Sequence, residues 1–521
     1  MALLTAGRIG NAAALPRSRR ADPPVGLVTL TVMLGLSMAI IDTTIVNVAL
    51  ANMAGNLGAT VDEIAWVATG YILANVVVMP LNGWLTALLG RRAFYATSLA
   101  IFTIASLLCG TAHSVAELVF FRIIQGVGGG ALQPTAQAIL FESYPKERRG
   151  QAMAIFGLGA MVGPAVGPTL GGWIVDNFNW PLIFFINVPI GILAFFMTLA
   201  FIRDPDYIKK PERGADWIGL AAMGTGIASL QYVLERGQRE DWFDSPTIVI
   251  LTIVSVTTLV FFVVRELRDR HPFVDLRVFR SRSFTGGNII GIISGFGLYG
   301  LNLMLPLFYE NVLHFNATQT GLALLPGAAA TAVSMPLATI FPRKIGARAT
   351  IAIGLLIFAC GSWWMGSLNQ YVGYWDVFWP RAVQGFALGF VFVPLSTSTL
   401  SEIDRGDLAG ASGIYTLIRQ LGGGIGIAIL QLILLRRQDT AQSVLAGSIS
   451  LANPAVSSFL AGAANHTQAL LQLNSMVEQN ATVLAYNYIF RLSALIFLLS
   501  IPTVLLLRSS RPNAEAVPTA E

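Results

Sequence analysis

Long apolar segments, separated by short polar stretches, recur along the whole chain. Each segment holds about 20 residues or more, enough for an α-helix to cross roughly 30 Å of hydrocarbon. Open strands would leave backbone groups unpaired in lipid, so helices are expected throughout. The pattern predicts an all-α polytopic membrane protein with fourteen spans, at residues 25–52, 64–88, 93–112, 117–141, 151–175, 181–202, 215–235, 246–264, 284–309, 320–341, 349–368, 377–400, 410–435 and 485–507.

The placement of charge gives an orientation to these spans. Of the 521 residues, 54% are hydrophobic and only 12% are charged, against about a quarter charged in soluble domains. Of the 33 Lys and Arg, 25 lie in the tails and in alternate loops, whereas the opposite loops hold only Arg236, Arg239, Arg436 and Arg437. Because basic residues accumulate in cytoplasmic loops, both termini are predicted to be cytoplasmic. The net charge of +5 follows from this topology and does not indicate nucleic-acid binding.

Residues that bind metals or form disulfides are sparse. The four His residues lie in loops or at their edges without ligand spacing, and Cys109 and Cys360 lie in separate spans. The sequence therefore predicts no metal site, no disulfide and no cofactor.

A weak internal repeat divides the chain. The pattern R-x-x-Q-G occurs early in spans 4 and 12, with Arg122, Gln125 and then Pro134 in the first copy and Arg381, Gln384 and then Pro394 in the second. Parallel repeats are a known transporter architecture. We therefore predict two six-helix halves with two extra spans between them, divided as 1–24 (tail), 25–202 (N-terminal half), 203–283 (extra spans with basic linkers), 284–507 (C-terminal half) and 508–521 (tail).

A hydrophilic external loop is predicted at 436–484, before the last span. Within it, Thr467–Gln479 carries apolar residues mostly at helical spacing, which indicates a short amphipathic helix. Docking of a partner and simple packing of the loop are both open interpretations.

Asp42 is the strongest candidate for a functional residue, because it is the only carboxylate predicted well inside a span. A charge in mid-membrane is costly and suggests function. Burial favours the neutral form of a carboxyl, whereas a nearby Arg favours the charged form. Arg122 needs such a partner, so a pair with Asp42 that breaks on protonation would link proton binding to helix movement. A purely structural hydrogen-bonding role for Asp42 is the alternative.

Two further arginines, Arg381 and Arg419, have the same requirement for a partner in the second half. Glu310, near the outer end of span 9, is one candidate. For these three residues a structural role is slightly favoured over a functional one.

Small residues form a row in span 5. Gly159, Gly163, Gly167 and Gly171 repeat every four residues, a spacing that lets membrane helices approach closely. Ordinary helix packing is one interpretation of this row. The neighbouring Pro164 and Pro168 favour a bent, closely packed helix at a gating interface between the halves.

At these residues the chain, from about Gly26 to Leu507, resembles the EmrB/QacA-type fourteen-span drug:proton antiporters of the major facilitator superfamily. The resemblance rests on the segment from Asp42 to Leu50, on the Arg122 segment, on the antiporter motif from Gly163 to Gly172, and on Asn179-Trp180 with the Asn187 segment. It implies a major facilitator fold in a bacterial inner membrane, with Asp42, Asn47 and Arg122 functional, Arg122 in proton transfer, and an antiporter motif typical of exporters.

One motif departs from the family pattern. The loop between spans 2 and 3 contains Gly83, Gly90, Arg91 and Arg92, but Ala87 stands where the family usually has an acidic residue. A charge relay through that position is therefore not implied. The EmrB branch works with a periplasmic adaptor and an outer-membrane channel, so the resemblance also implies these partners.

The favoured function is proton-coupled efflux of amphipathic, drug-like compounds by alternating access, with membrane lipid around the spans. The alternative is a dedicated exporter or uptake carrier for one metabolite on the same fold. Few charges are buried, which favours apolar or cationic cargo. No nucleophile-and-base arrangement lies at matching depth in the spans, which argues against an enzyme.

Overall fold

The computed structural model describes residues 23–208, 216–269, 272–450, 453–461 and 465–508. These residues contain fourteen helices that are long and apolar enough to cross a membrane, and no strand. The predicted number of spans and the all-α class are confirmed. The helices are α1 Val25–Leu57, α2 Val61–Leu89, α3 Arg91–Gly110, α4 Val115–Ser143, α5 Lys146–Asn177, α6 Leu182–Phe201, α7 Trp217–Arg236, α8 Pro246–Arg268, α9 Arg282–Asn311, α10 Thr318–Ile345, α11 Ala347–Met365, α12 Tyr374–Leu400, α13 Leu408–Ser448 and α14 Thr467–Leu506.

Local sequence explains where several helices begin and bend. Thr60 and Glu63 form a capping box at the start of α2, and Asn316 and Gln319 form another before α10. Prolines interrupt α4, α9, α10 and α12, where each removes a backbone donor. A π-helical turn at Phe296–Gly300 interrupts α9 just before Asn302. Such turns often occur at functional sites.

The described residues of the predicted loop at 436–484 are mostly helical, more so than the one short helix expected from the sequence. α13 is 41 residues long, about twice what a membrane crossing requires. The predicted short helix at Thr467–Gln479 is the first part of α14. Gln438 donates to Thr482 across the two helices at 3.0 Å. The segment is therefore a helical hairpin, because its apolar positions continue the helices of the adjoining spans.

The two predicted halves repeat backbone features. Gly90 precedes α3 and Gly346 precedes α11, and both adopt positive φ values, 83° and 85°, that favour glycine. A Cβ on Gly126 of α4 would lie 2.4 Å from the carbonyl oxygen of Tyr71, and one on Gly385 of α12 would lie 2.0 Å from that of Gly327. Close helix contacts therefore recur at the glycines of the two R-x-x-Q-G copies.

The halves contact each other at the end of the helices that carries Arg91 and Arg92, here called the basic end. Asn82 of α2 donates to the carbonyl of Ala409 at 2.8 Å, and a Cβ on Gly83 would lie 2.7 Å from the Cα of Gly410. The extra helix α7 contacts both halves, since Glu235 accepts from Thr69 of α2 at 2.9 Å while Gln231 packs near α13. The predicted tails lie outside the described residues, except for residues 23, 24 and 508.

Candidate functional site

A buried polar cluster surrounds Asp42 in the N-terminal half. Asp42 on α1 and Arg122 on α4 are both almost fully buried, and Nη1 of Arg122 lies 2.6 Å from Oδ2 of Asp42. The other carboxylate oxygen, Oδ1, accepts from Gln125 Nε2 at 2.9 Å and from Asn187 Nδ2 at 2.7 Å. Two helices, α4 and α6, therefore supply three donor side chains to one carboxylate on α1.

Arg122 makes further contacts that fix its orientation. Its Nε donates to the backbone carbonyl of Val67 at 3.1 Å, and Nη1 also donates to Gln125 at 2.7 Å. The guanidinium lies over the Tyr71 ring, 4.2 Å from its centroid, in cation–π contact. These contacts link α4 to α2 as well as to α1.

The chemistry of this cluster follows from its burial. A charge pair out of water is stable only while both partners keep their charges and their hydrogen bonds. Protonation of Asp42 would leave the Arg122 cation uncompensated, at a cost of about 3–5 kcal/mol.

The C-terminal half repeats the arrangement without its carboxylate. Arg381 donates from Nη2 to Asn302 Oδ1 at 3.2 Å, so Asn302 on α9 occupies the place that Asp42 occupies on α1. Gln384 donates to Ser362 at 3.1 Å and is fully buried. Nε of Arg381 and Oε1 of Gln384 are buried without a hydrogen-bond partner. This half therefore has a buried cation with a neutral partner.

Arg419 lies buried on α13 with aromatic neighbours. Its guanidinium lies 5.1 Å from the Phe392 ring centroid and 5.7 Å from that of Tyr415. Its Nε and Nη1 atoms have no hydrogen-bond partner, and no ion pair joins it to a carboxylate within the described residues. Arg419 is thus a buried cation in contact with two aromatic rings, with two of its nitrogens lacking a hydrogen-bond partner.

Glu310 and Asn47, also candidates from the sequence, are both exposed. In the described part of the chain, Glu310 forms no ion pair with Arg381 or Arg419, so the suggested partnership was wrong: Asn302 is the partner of Arg381. Asn47 lies on α1 about one and a half turns beyond Asp42 and does not join the cluster.

The glycine row of α5 faces α1. A Cβ on Gly163 would lie 2.2 Å from Ile40 Cγ2, and one on Gly167 would lie 1.9 Å from Thr44 Oγ1. Thr44 donates across this contact to the Gly163 carbonyl at 3.0 Å. The row therefore packs α5 against the helix that carries Asp42. This corrects the expectation of an interface between the halves.

Other parts of the antiporter motif have different surroundings. Gly159 and Gly171 also face α1, whereas a Cβ on Gly172 would meet only Val48 Cγ1, at 4.0 Å. Pro168 is partly buried, and the side chain of Pro164 lies outside the described residues. The contact of α5 with the other half is made elsewhere, through Gly157, whose Cβ would lie 2.6 Å from Met335 Cε.

At the basic end, Arg91 forms an ion pair with Glu142 at 2.7 Å and donates to the Tyr207 hydroxyl at 2.8 Å. Tyr207 in turn donates to Glu142. Burial raises the pKa of Tyr207 to about 12, so the hydroxyl remains a donor at neutral pH. The Arg92 backbone N–H donates to Asp204 at 2.9 Å. These contacts join α3 and α4 to the segment after α6 within one half.

Three participants in these clusters were missed as site residues by the sequence analysis. Asn187 contacts Asp42, Tyr71 contacts Arg122, and Asn302 contacts Arg381. Asn187 and Asn302 are amides within apolar spans, which is a signal available from the sequence. Nothing in the sequence distinguishes Tyr71 from the other aromatic residues in the spans.

Comparisons with known proteins agree with this architecture. The family model described as Major Facilitator Superfamily matches residues 32–427. The multidrug export protein EmrB of Escherichia coli K12 is 36% identical over 479 residues, which cover 91% of this chain and 93% of EmrB. The fatty acid resistance protein FarB of Neisseria gonorrhoeae is 36% identical, with 92% and 95% covered.

Solved structures show the same fold at low sequence identity. The human organic anion transporter MFSD10 superposes with a TM-score of 0.58 at 15% identity, over 93% of this chain and all of MFSD10. The proton:xylose symporter XylE gives a TM-score of 0.56 at 14% identity, over 90% of this chain and 94% of XylE.

Proposed function

The chain belongs to the Major Facilitator Superfamily, among relatives of the EmrB multidrug exporters, and from this we propose that it exports amphipathic, drug-like compounds in exchange for protons. The Asp42–Arg122 pair is the observation that carries the proposal, since a buried carboxylate on α1 that is held by donors from α4 and α6 can convert proton binding into helix movement. The chain is a transporter rather than an enzyme.

The proposed cycle uses the cluster as its switch. With Asp42 charged, Arg122 holds α1, α2 and α4 together. A proton entering from outside neutralises Asp42 and releases Arg122, and the helices rearrange so that the site opens to the other side. Release of the proton inside restores the pair. The substrate and the proton then favour opposite members of one equilibrium between two helix arrangements. Exchange of one for the other requires such an equilibrium.

Membrane placement and partners follow from the same proposal. The protein is a multi-pass membrane protein, and we place it in a bacterial inner membrane with its basic end toward the cytoplasm. The hairpin at 436–484 then extends on the outer side, where a periplasmic adaptor leading to an outer-membrane channel would dock.

A reporter fusion tests this orientation. A reporter inserted after Arg213, which lies outside the described residues, or after Arg282 is expected to read as cytoplasmic, and one within 440–480 as external, because basic loops are retained inside. Alkaline phosphatase and green fluorescent protein activities at each site measure this. A cytoplasmic signal from 440–480 would contradict the proposed orientation.

A second candidate function is dedicated export or uptake of one class of compound. The observation that favours it is Arg419, a buried cation with two unpartnered nitrogens, which would suit an amphipathic anion. FarB, a relative named for fatty acid resistance, is consistent with such cargo.

Growth assays distinguish the two candidates. Expression in a strain lacking its own efflux pumps should raise the inhibitory concentrations of several chemically unrelated dyes, uncouplers and antibiotics if the protein is a multidrug exporter. Protection limited to one chemical class would support the dedicated exporter. Increased sensitivity with cellular accumulation would indicate uptake. The empty vector and a variant with Asp42→Asn serve as controls for expression burden.

A further inference from the structure

A cleft at the basic end lies between the two halves, apart from the Asp42 cluster. It is a small cleft that is partly open to solvent, and its lining includes Thr86 and Ala87 of α2 and Arg405 and Ala409 from the start of the α13 region. Ala87 contributes a methyl group at the position where the family resemblance leads one to expect a carboxylate. Among the described residues that line the cleft none is acidic, and the nearby Glu142 is paired with Arg91 and Tyr207.

The N-terminus of α13 opens into this cleft. The first N–H groups of a helix have no partner within the helix and carry partial positive charge. Asp407, the residue before α13, does not cap them with its side chain. Burial and the neighbouring carboxylates of Asp275 and Asp404 raise the pKa of Asp407. Two residues at this terminus, Gly406 and Ala409, line the cleft.

An independent feature of the cleft is the Thr86 hydroxyl. Thr86 is 3% exposed, it lines the cleft, and its Oγ1 has no hydrogen-bond partner. Buried hydroxyls in proteins nearly always have a partner. A ligand atom within the cleft would satisfy it.

Two arginines add positive charge from opposite halves. Arg91 lines the cleft from α3, with part of its charge balanced by Glu142. Arg405 is exposed, lines the cleft from the other side, and forms no ion pair within the described residues. A hydroxyl, a helix terminus and two guanidinium groups thus border the cleft, a set of groups that suits a phosphate oxyanion.

We propose that this cleft binds a phosphate group, which joins α2 to the start of α13 and stabilises the contact between the halves at the basic end. The phosphate group is either free phosphate or the headgroup of an anionic phospholipid. Phosphate binding in the cleft does not depend on which compound is transported, so it can be measured without a transport assay.

Thermal unfolding of the purified full chain tests the proposal. Inorganic phosphate, titrated against chloride at constant ionic strength, should raise the unfolding temperature in a saturable way. Arg405→Gln and Thr86→Val should each weaken the apparent affinity by about tenfold, the effect of losing one hydrogen bond to a charged group. Arg280→Gln, the same substitution at an exposed basic-end residue, should leave the affinity unchanged. A second arm compares vesicles of phosphatidylglycerol with vesicles of phosphatidylcholine.

Each outcome of these unfolding measurements either supports or overturns the phosphate proposal. Saturable stabilisation by phosphate supports a site for free phosphate, and stabilisation by phosphatidylglycerol alone supports a site for a lipid headgroup. In either case Arg405→Gln and Thr86→Val must reduce the stabilisation. Ala87→Asp, which places a carboxylate in the cleft, should stabilise the protein without phosphate and remove the phosphate response. Absence of a saturable response in both arms overturns the proposal, as does an equal response in the wild type, Arg405→Gln and Thr86→Val.

Discussion

Asp42→Asn is expected to abolish efflux driven by a pH gradient while leaving substrate binding or passive exchange measurable. Asn keeps the size and part of the hydrogen bonding but cannot exchange a proton. The carboxylate that it replaces is the one that pairs with Arg122 at 2.6 Å. Transport of a fluorescent substrate in everted vesicles, with and without an imposed pH gradient, measures the loss. Asp42→Glu, which retains a titratable carboxyl, should keep partial activity.

The same substitution also affects stability, and this effect can be separated from coupling. Removing one partner of a buried ion pair costs about 3–5 kcal/mol because the other charge stays buried. The double variant Asp42→Asn with Arg122→Gln removes both charges, so it should regain much of the lost stability, measured by thermal unfolding, but no pH-driven efflux. Recovery of efflux in the double variant would show that the single variant failed through misfolding alone.

Glu235→Gln is the matched control, because it changes another membrane carboxyl to an amide outside the cluster. Glu235 on α7 accepts from Thr69, and its second oxygen is buried without a partner. It should keep pH-driven efflux. If Asp42→Asn pumps at the wild-type rate while Glu235→Gln does not, the proton is carried at Glu235 instead. If both variants pump normally, Glu310 is the next carboxylate to test.

Gly167→Leu is expected to give a folded, inserted protein with little transport. Even a Cβ at this position would lie 1.9 Å from Thr44 Oγ1 and 2.8 Å from Thr44 Cβ. Relief requires that α5 move away from α1, which breaks the bond from Thr44 to the Gly163 carbonyl. Overpacking of about 1–3 kcal/mol corresponds to roughly a five- to 150-fold shift in an equilibrium. Substrate efflux and the amount of protein in the membrane are the two measurements.

Gly172→Leu provides the comparison within the same helix. The nearest atom to a Cβ there is Val48 Cγ1 at 4.0 Å, so the larger side chain has room. Gly172→Leu should insert and transport at near the wild-type rate. Normal transport by Gly167→Leu at normal expression would mean that the contact between α5 and α1 need not be close during the cycle. Equal loss in both variants would indicate a general effect of bulk on α5.

The number and class of the spans could be predicted because the thickness of the hydrocarbon sets a length for every apolar segment. That constraint acts locally, so it can be recognised without knowing any neighbour. The length constraint does not apply outside the membrane, and there the segment 436–484 was interpreted as a loop because it is polar. The helices α13 and α14 extend into this segment from its two ends, to Ser448 and from Thr467, because a helix outside the membrane needs only one apolar face.

Asp42 and Arg122 could also be identified as candidates from the sequence alone. A charged residue within an apolar span costs free energy, so it is rare unless it has a function. Which groups surround them could not be predicted in the same way. Asn187 lies 145 residues from Asp42 along the chain, and it donates to the carboxylate only because α6 packs beside α1. The same holds for Asn302, which replaces the suggested Glu310 as the partner of Arg381.

The sequence by itself determined the composition of the glycine row and its spacing, which make one face of α5 suitable for close packing. Only the tertiary structure decided which helix occupies that face. Gly163 and Gly167 contact α1, next to Asp42, while Gly157 contacts the other half. The physical reason is that spacing along a helix defines a face, whereas the partner of a face depends on the arrangement of all fourteen helices.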